Sequence, residues 1–160
     1  MKALPILALA ACVLPPAGDA QELGDRERAT VMVAAGAQPR GDRWVICADD
    51  PEAAGARVDQ VRDLNGDGRP EALVVEDGTY CYGFAGTGFR LLSRQKDGSW
   101  RRITGDNGMP EFLASRGVDG WPDLLVGGPG FCFPVQRWDG RAYVLDRHEY
   151  EGKRCQPPSP

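Results

Sequence analysis

The stretch Asp63-Leu-Asn-Gly-Asp-Gly-Arg-Pro-Glu71 sets oxygen-bearing residues at alternate positions around two glycines. Counting from Asp63, side-chain oxygens fall at positions one, three and five (Asp63, Asn65, Asp67). Glycine stands at six (Gly68), a carbonyl is available at seven (Arg69), and a carboxylate stands at nine (Glu71). A wrapped Ca2+ loop needs this donor spacing. The ion takes about six to eight hard oxygens near ~2.4 Å, and a sharp glycine turn brings most of them from one short segment. Position twelve is Val74, not the bidentate glutamate of an EF-hand, and Pro70 before a run of Ala-Leu-Val-Val opposes an exiting helix. The competing reading is a hairpin turn without metal, because Asn-Gly and Asp-Gly pairs are strong hairpin signals by themselves.

Catalytic chemistry is poorly supplied. His148 is the only histidine. One histidine cannot build a usual catalytic zinc site, and neither HExxH nor GxSxG occurs. A Cys–His couple needs a free thiol, and the cysteines are expected to be paired. The 23 Asp and Glu residues permit many carboxylate pairs, but nothing singles one out. A protein that is not an enzyme is expected. Gly127–Pro134, Gly-Gly-Pro-Gly-Phe-Cys-Phe-Pro, is the remaining unusual stretch. It reads either as a rigid aromatic loop that presents a binding surface or as a buried turn pinned by Cys132.

The elements that must position these residues are mostly strands. Residues 22–37 form the one good helix pattern, with Glu22 and Asp25 early, Val31, Ala34 and Ala35 on one face, and Pro39 as the stop. Arg43–Ala48 is a short β-like run, and the stretch from Ala56 reads as helix or strand. From Val58 onward, short apolar runs alternate with glycine turns, the pattern of antiparallel strands and hairpins. An internal repeat underlies them. Asp67–Val74 (DGRPEALV) recurs as Asp119–Val126 (DGWPDLLV), and each copy is followed by an aromatic-Cys-aromatic triplet, Tyr80–Tyr82 and Phe131–Phe133. Two units, about 56–104 and 108–155, are expected within a single globular domain of residues 21–160. Two units cannot close a propeller, which needs at least about four blades. The expected fold is therefore a mainly β, two-unit domain, disulfide-stapled, with the N-terminal helix covering part of the sheet.

Asp63–Val74 resembles the D-x-N-G-D-G-x-x-D-hydrophobic calcium loop of FG-GAP or VCBS-type repeats, found in integrin α-subunit propellers and many bacterial surface proteins. The resemblance implies a loop that joins two strands and holds a mostly structural Ca2+. Asp63, Asn65 and Asp67 would bind by side chain, Arg69 by its carbonyl, and Glu71 at the final position. Glu71 departs from the usual aspartate there. The second copy keeps Asp119, Gly120, Pro122 and Asp123 but has Ser115 and Gly117 at the places of Asp63 and Asn65. Its site is expected to be weak or empty.

The first twenty residues read as a secretory signal, with Lys2, an apolar run from Ala3 to Leu14, and small residues before Gln21. Leu9–Cys12 also resembles a lipobox, so cleavage after Ala20 and a lipid anchor at Cys12 are the two alternatives. No later segment has the ~18 apolar residues of a membrane helix. Cys47, Cys81, Cys132 and Cys155 remain, an even set that reads as two disulfides in an exported chain. Cys47–Cys81 with Cys132–Cys155 is the expected pairing, because each closes a local loop. The net charge is −4, with no basic stripe, which argues against nucleic acid. The expected protein is an exported, non-catalytic binding or interaction module of a bacterial cell envelope, periplasmic or secreted, with an unidentified protein or glycan partner. The rival is a small periplasmic enzyme or enzyme inhibitor acting through Gly127–Pro134.

Overall fold

A computed structural model describes residues 22–157. The predicted signal segment, including Cys12, lies outside the described residues. The fold is mainly β, with two antiparallel sheets, as the glycine-punctuated apolar runs predict.

Helix α1 (Asp25–Ala35) is shorter than the predicted span. Its stop is Gly36, not Pro39. Gly36 sits in the left-handed region at φ 85°, where a side chain is disfavoured, and it and Ala37 donate to the Val33 and Met32 carbonyls. Strands β1 (Gln38–Arg40) and β2 (Arg43–Val45) follow. The ambiguous stretch is strand β3 (Ala56–Arg62). The chain continues through β4 (Glu71–Asp77), a short helix α2 (Thr79–Tyr82), β5 (Thr87–Arg94) and β6 (Trp100–Asn107). The first sheet has the order β1-β2-β3-β4-β5-β6.

The second sheet contains β7 (Met109–Arg116), β8 (Pro122–Gly127), β9 (Phe133–Trp138), β10 (Tyr143–Tyr150) and β11 (Lys153–Arg154), in the order β11-β10-β9-β8-β7. Each repeat is thus a four-stranded meander, β3–β6 and β7–β10. Gly108 alone separates them. A Cβ at Gly108 would lie 2.5 Å from the Gly127 carbonyl oxygen, so only glycine fits this link.

The two meanders stack face to back. Strand β4 is buried on both sides, which explains its continuous apolar run. Ala72 and Val74 join Val61 and Leu92 against Val31, Met32 and Ala35 of α1. Leu73 and Val75 join Phe89 and Leu91 against Trp121, Leu124, Val126 and Trp138 of the second sheet. The indole rings of Trp121 and Trp138 lie 5.2 Å apart. In the repeat, Leu124 and Val126 correspond to Ala72 and Val74. Each sheet therefore turns the same face towards the α1 side.

Both expected disulfides are present, Cys47–Cys81 and Cys132–Cys155, with Cα separations of 6.0 and 5.7 Å. The two aromatic triplets differ in structure. Tyr80–Tyr82 lies in α2, whereas Cys132 occupies a turn at φ 64° that feeds β9. Tyr82 is drawn inward, where its hydroxyl donates to the fully buried Glu76 at 2.5 Å. The Ile46 and Cys47 N–H groups donate to the same carboxylate. No helix among the described residues is long and apolar enough to cross a membrane.

Candidate functional site

The connection between β3 and β4 carries the candidate metal residues. Gly66 and Gly68 supply the positive φ angles, 80° and 82°, that curl the chain around the Asp63 carboxylate. Asp63 Oδ1 accepts the N–H of Gly66 at 2.8 Å and of Asp67 at 3.2 Å, and Oδ2 accepts that of Gly68 at 2.8 Å. Asn65 Oδ1 accepts the Asp67 N–H at 3.1 Å. Asp67 accepts the Arg69 N–H at 2.9 Å, and its other oxygen meets the Arg69 guanidinium. The loop is thus a hydrogen-bonded turn with its acidic side chains folded over their own backbone.

Glu71 differs from these. It begins β4 on the face turned towards the second sheet and is 1% exposed. The Leu64 N–H donates to one carboxylate oxygen at 2.9 Å, and the Ser93 hydroxyl to the other at 2.9 Å. Neither donor is a cation. Burial pushes its carboxyl up to about 7, and the nearby negative charges of Asp67 and Asp63 add to the rise, against the two hydrogen bonds.

The second repeat handles the equivalent carboxylate in another way. Asp123 is fully buried, and the Ser115 hydroxyl donates to it at 2.6 Å. Arg137 reaches both of its oxygens, at 2.9 and 2.7 Å, and Arg147 adds a bond at 2.7 Å. Burial opposes ionisation of Asp123, but the Arg137, Ser115 and Arg147 hydrogen bonds outweigh it and hold the carboxyl well below the usual carboxylate range. Arg147 is itself held by Asp146 and Glu149. Two guanidinium groups therefore supply the positive charge that Glu71 lacks. The second loop also has no room for a ligand at Gly117, where a Cβ would lie 2.4 Å from the Trp138 carbonyl oxygen. Arg116 ties the two loops together, donating to the Leu64 carbonyl at 2.9 Å and to the Gly120 carbonyl.

The donor chemistry of the first loop suits a hard cation. Each carboxylate or amide oxygen has two lone pairs, and one remains free of hydrogen bonds on Asp63 Oδ2, Asn65 Oδ1 and both Glu71 oxygens. The arrangement itself is that of the turn: among the described residues, no three acidic, histidine or cysteine side chains are grouped as a metal cage.

The other candidates are placed as follows. His148 is half-buried on β10, and its carbonyl accepts the Cys155 N–H at 3.1 Å. In Gly127–Pro134, Cys132 is buried, Phe133 is half-buried beside Tyr150, and Phe131 is exposed. The stretch is thus neither wholly a buried turn nor wholly a presented loop. Ser93, Arg137 and Arg147 were not legible as site residues, because they lie on other strands, far from the motif in sequence. Compared with family models, curated proteins and solved structures, the chain matches none of them.

Proposed function

We propose that the chain is an exported, non-catalytic binding module of the cell envelope, periplasmic or secreted, whose fold is braced by Ca2+ at Asp63–Glu71. One observation carries the metal part. Glu71 is buried with no cation beside it, while Asp123, at the same place in the second repeat, has two. A divalent ion held by Asp63, Asn65, Asp67, the Arg69 carbonyl and Glu71 supplies the missing charge. Two disulfides fit an oxidising compartment outside the cytoplasm.

Thermal unfolding of the oxidised protein in EDTA, then with Ca2+ or Mg2+, tests this reading. A specific site raises stability by roughly 2.7 kcal/mol at a hundredfold excess of Ca2+ over its dissociation constant. Equal melting in EDTA and Ca2+ makes the loop a turn and removes the metal. The rival reading, an enzyme or inhibitor acting through Gly127–Pro134, requires loss of activity on substitution of Phe131 with the melting temperature unchanged.

A further inference from the structure

The two ends of the stacked sheets differ in character. One end holds the acidic glycine turns, including Asp63–Glu71. The other holds the connections between β2 and β3, β4 and β5, β8 and β9, and β10 and β11, together with Gly108 and both disulfides. Nine large hydrophobic side chains are exposed among the described residues, and five of them gather at this second end: Tyr80, Phe84, Met109, Phe131 and Tyr150. Phe84 is 98% exposed and Phe131 61%. Scattered exposed apolar residues are ordinary on a protein surface, but a cluster on one end is not.

Met109, Phe131 and Tyr150 lie around one groove, and disulfides tether the connections that carry Tyr80, Phe84 and Phe131. Met109 and Pro110 form a shared wall. On one side they line a cleft with Ala85, Gly86 and Thr87, next to Phe84. On the other they line a groove of about 620 Å³ with Leu113, Leu125, Phe133 and Tyr150. Phe131 packs edge-on to Tyr150, with ring centroids 6.3 Å apart. Cys81 and Cys132 tether the two aromatic connections, so little conformational entropy is left to lose when they are covered.

Charge indicates the occupant. The groove is lined by Glu111, Glu151 and Glu149, the last paired with Arg147, and by no lysine or arginine. The connections at this end contain exposed Asp49, Glu52 and Glu151 and no lysine or arginine of their own, while Arg40 and Arg43 reach the β2–β3 connection and donate to its Asp50, Ala48 and Ala53 carbonyls. Lys153 and Arg154 stand on β11 outside the groove, and Arg57 is paired with Asp77. Apolar anchors within an acidic rim suit a cationic, apolar partner and repel an anionic membrane.

We propose that this disulfide-clamped aromatic end is a docking surface for a partner protein, which it grips through an apolar segment flanked by lysine or arginine. The proposal rests on the binding-module reading and is independent of calcium. It is tested by panning a random peptide library, displayed on phage, against the full oxidised chain. Two variants serve as counter-targets: the double variant Phe84→Ser/Phe131→Ser, and the charge reversal Glu111→Lys/Glu151→Lys, which leaves the aromatics in place. The expected result is enrichment of peptides pairing large apolar residues with lysine or arginine, each bound roughly tenfold or more weakly by both variants. No enrichment, or enrichment of acidic peptides, overturns the proposal. Peptides bound equally by parent and variants also overturn it, while leaving a binding module whose surface lies elsewhere. Binding to phosphatidylglycerol vesicles that is lost in Phe84→Ser/Phe131→Ser overturns it in favour of a membrane. Melting each variant with EDTA and Ca2+ reads the opposite end separately. A retained calcium shift without peptide selection sinks only the docking surface, and selection without a calcium shift sinks only the metal.

Discussion

Replacing Glu71 by glutamine separates the cost of the buried charge from its use. The carboxyl titrates near 4.5 in an unfolded chain and near 7 in the fold, with burial the main cause. Between those values the folded state binds the proton more tightly than the unfolded chain. In EDTA, stability therefore falls as pH rises from about 4.5 to about 7 and then levels off. The difference corresponds to at most about 3 kcal/mol. Glutamine keeps the shape: its carbonyl can accept the Leu64 N–H, and its amide can donate to the Ser93 hydroxyl. In EDTA at pH 8, E71Q should therefore be more stable than the parent by up to about 3 kcal/mol, or roughly 10 °C in melting temperature. It should also lose the dependence between pH 4.5 and 7. In excess Ca2+ the order should reverse, because the parent gains the ion and E71Q does not. Scanning calorimetry across pH, with EDTA and with Ca2+, reads all of this. An E71Q protein less stable than the parent in EDTA at pH 8, or a parent whose stability is flat from pH 4.5 to 7, refutes the reasoning.

Further outcomes follow from the same contacts. Arg147→Met leaves Asp123 buried with one guanidinium fewer, and urea unfolding should show a loss of about 3 kcal/mol. Asp67→Ala should abolish the heat of Ca2+ binding in calorimetric titration while Asp119→Ala leaves it unchanged; equal losses would contradict the asymmetry of the two loops. Gly88→Ala would place a Cβ 2.3 Å from the Tyr82 ring and expel that side chain from Glu76. A loss of about 2–3 kcal/mol and a changed near-UV spectrum are expected.

Much of the architecture was legible because it is written locally. Glycine turns mark the strand ends, the run Glu71–Val75 signals a strand buried on both faces, and the cysteine spacing favours local loops. The misses arise where tertiary packing decides. The predicted helix stop at Pro39 ignored Gly36, whose left-handed conformation ends the helix first. Strand β3 was ambiguous because its register shifts between Val58 and Gln60, which breaks the period-two pattern. The sequence placed Glu71 in the loop but could not show its burial, which exists only once the second sheet covers that face. The Arg137 and Arg147 pairing to Asp123 was equally hidden, since it joins β8 to β9 and β10 across the sheet. The hydrogen-bonded turn around Asp63 agrees with both sequence readings of that stretch, because a metal loop and a metal-free hairpin begin from the same curl.

The face-to-back packing of the two meanders has a consequence for chain length. An interface whose halves differ has a direction, so it defines a polar array and not a symmetric pair. One end of that array is closed by α1, which covers Ala72 and Val74. The other carries the ion pairs of Asp123, Arg137 and Arg147 on its outer face, beside the groove of Leu113, Leu125 and Phe133. Terminal units with a polar outer surface are what make a stacked repeat finite. A third meander inserted at Gly108, with apolar residues on both faces, would meet the same two surfaces that now meet each other and leave both terminal layers untouched. The number of units is thus set by how the ends are sealed and not by closure into a ring.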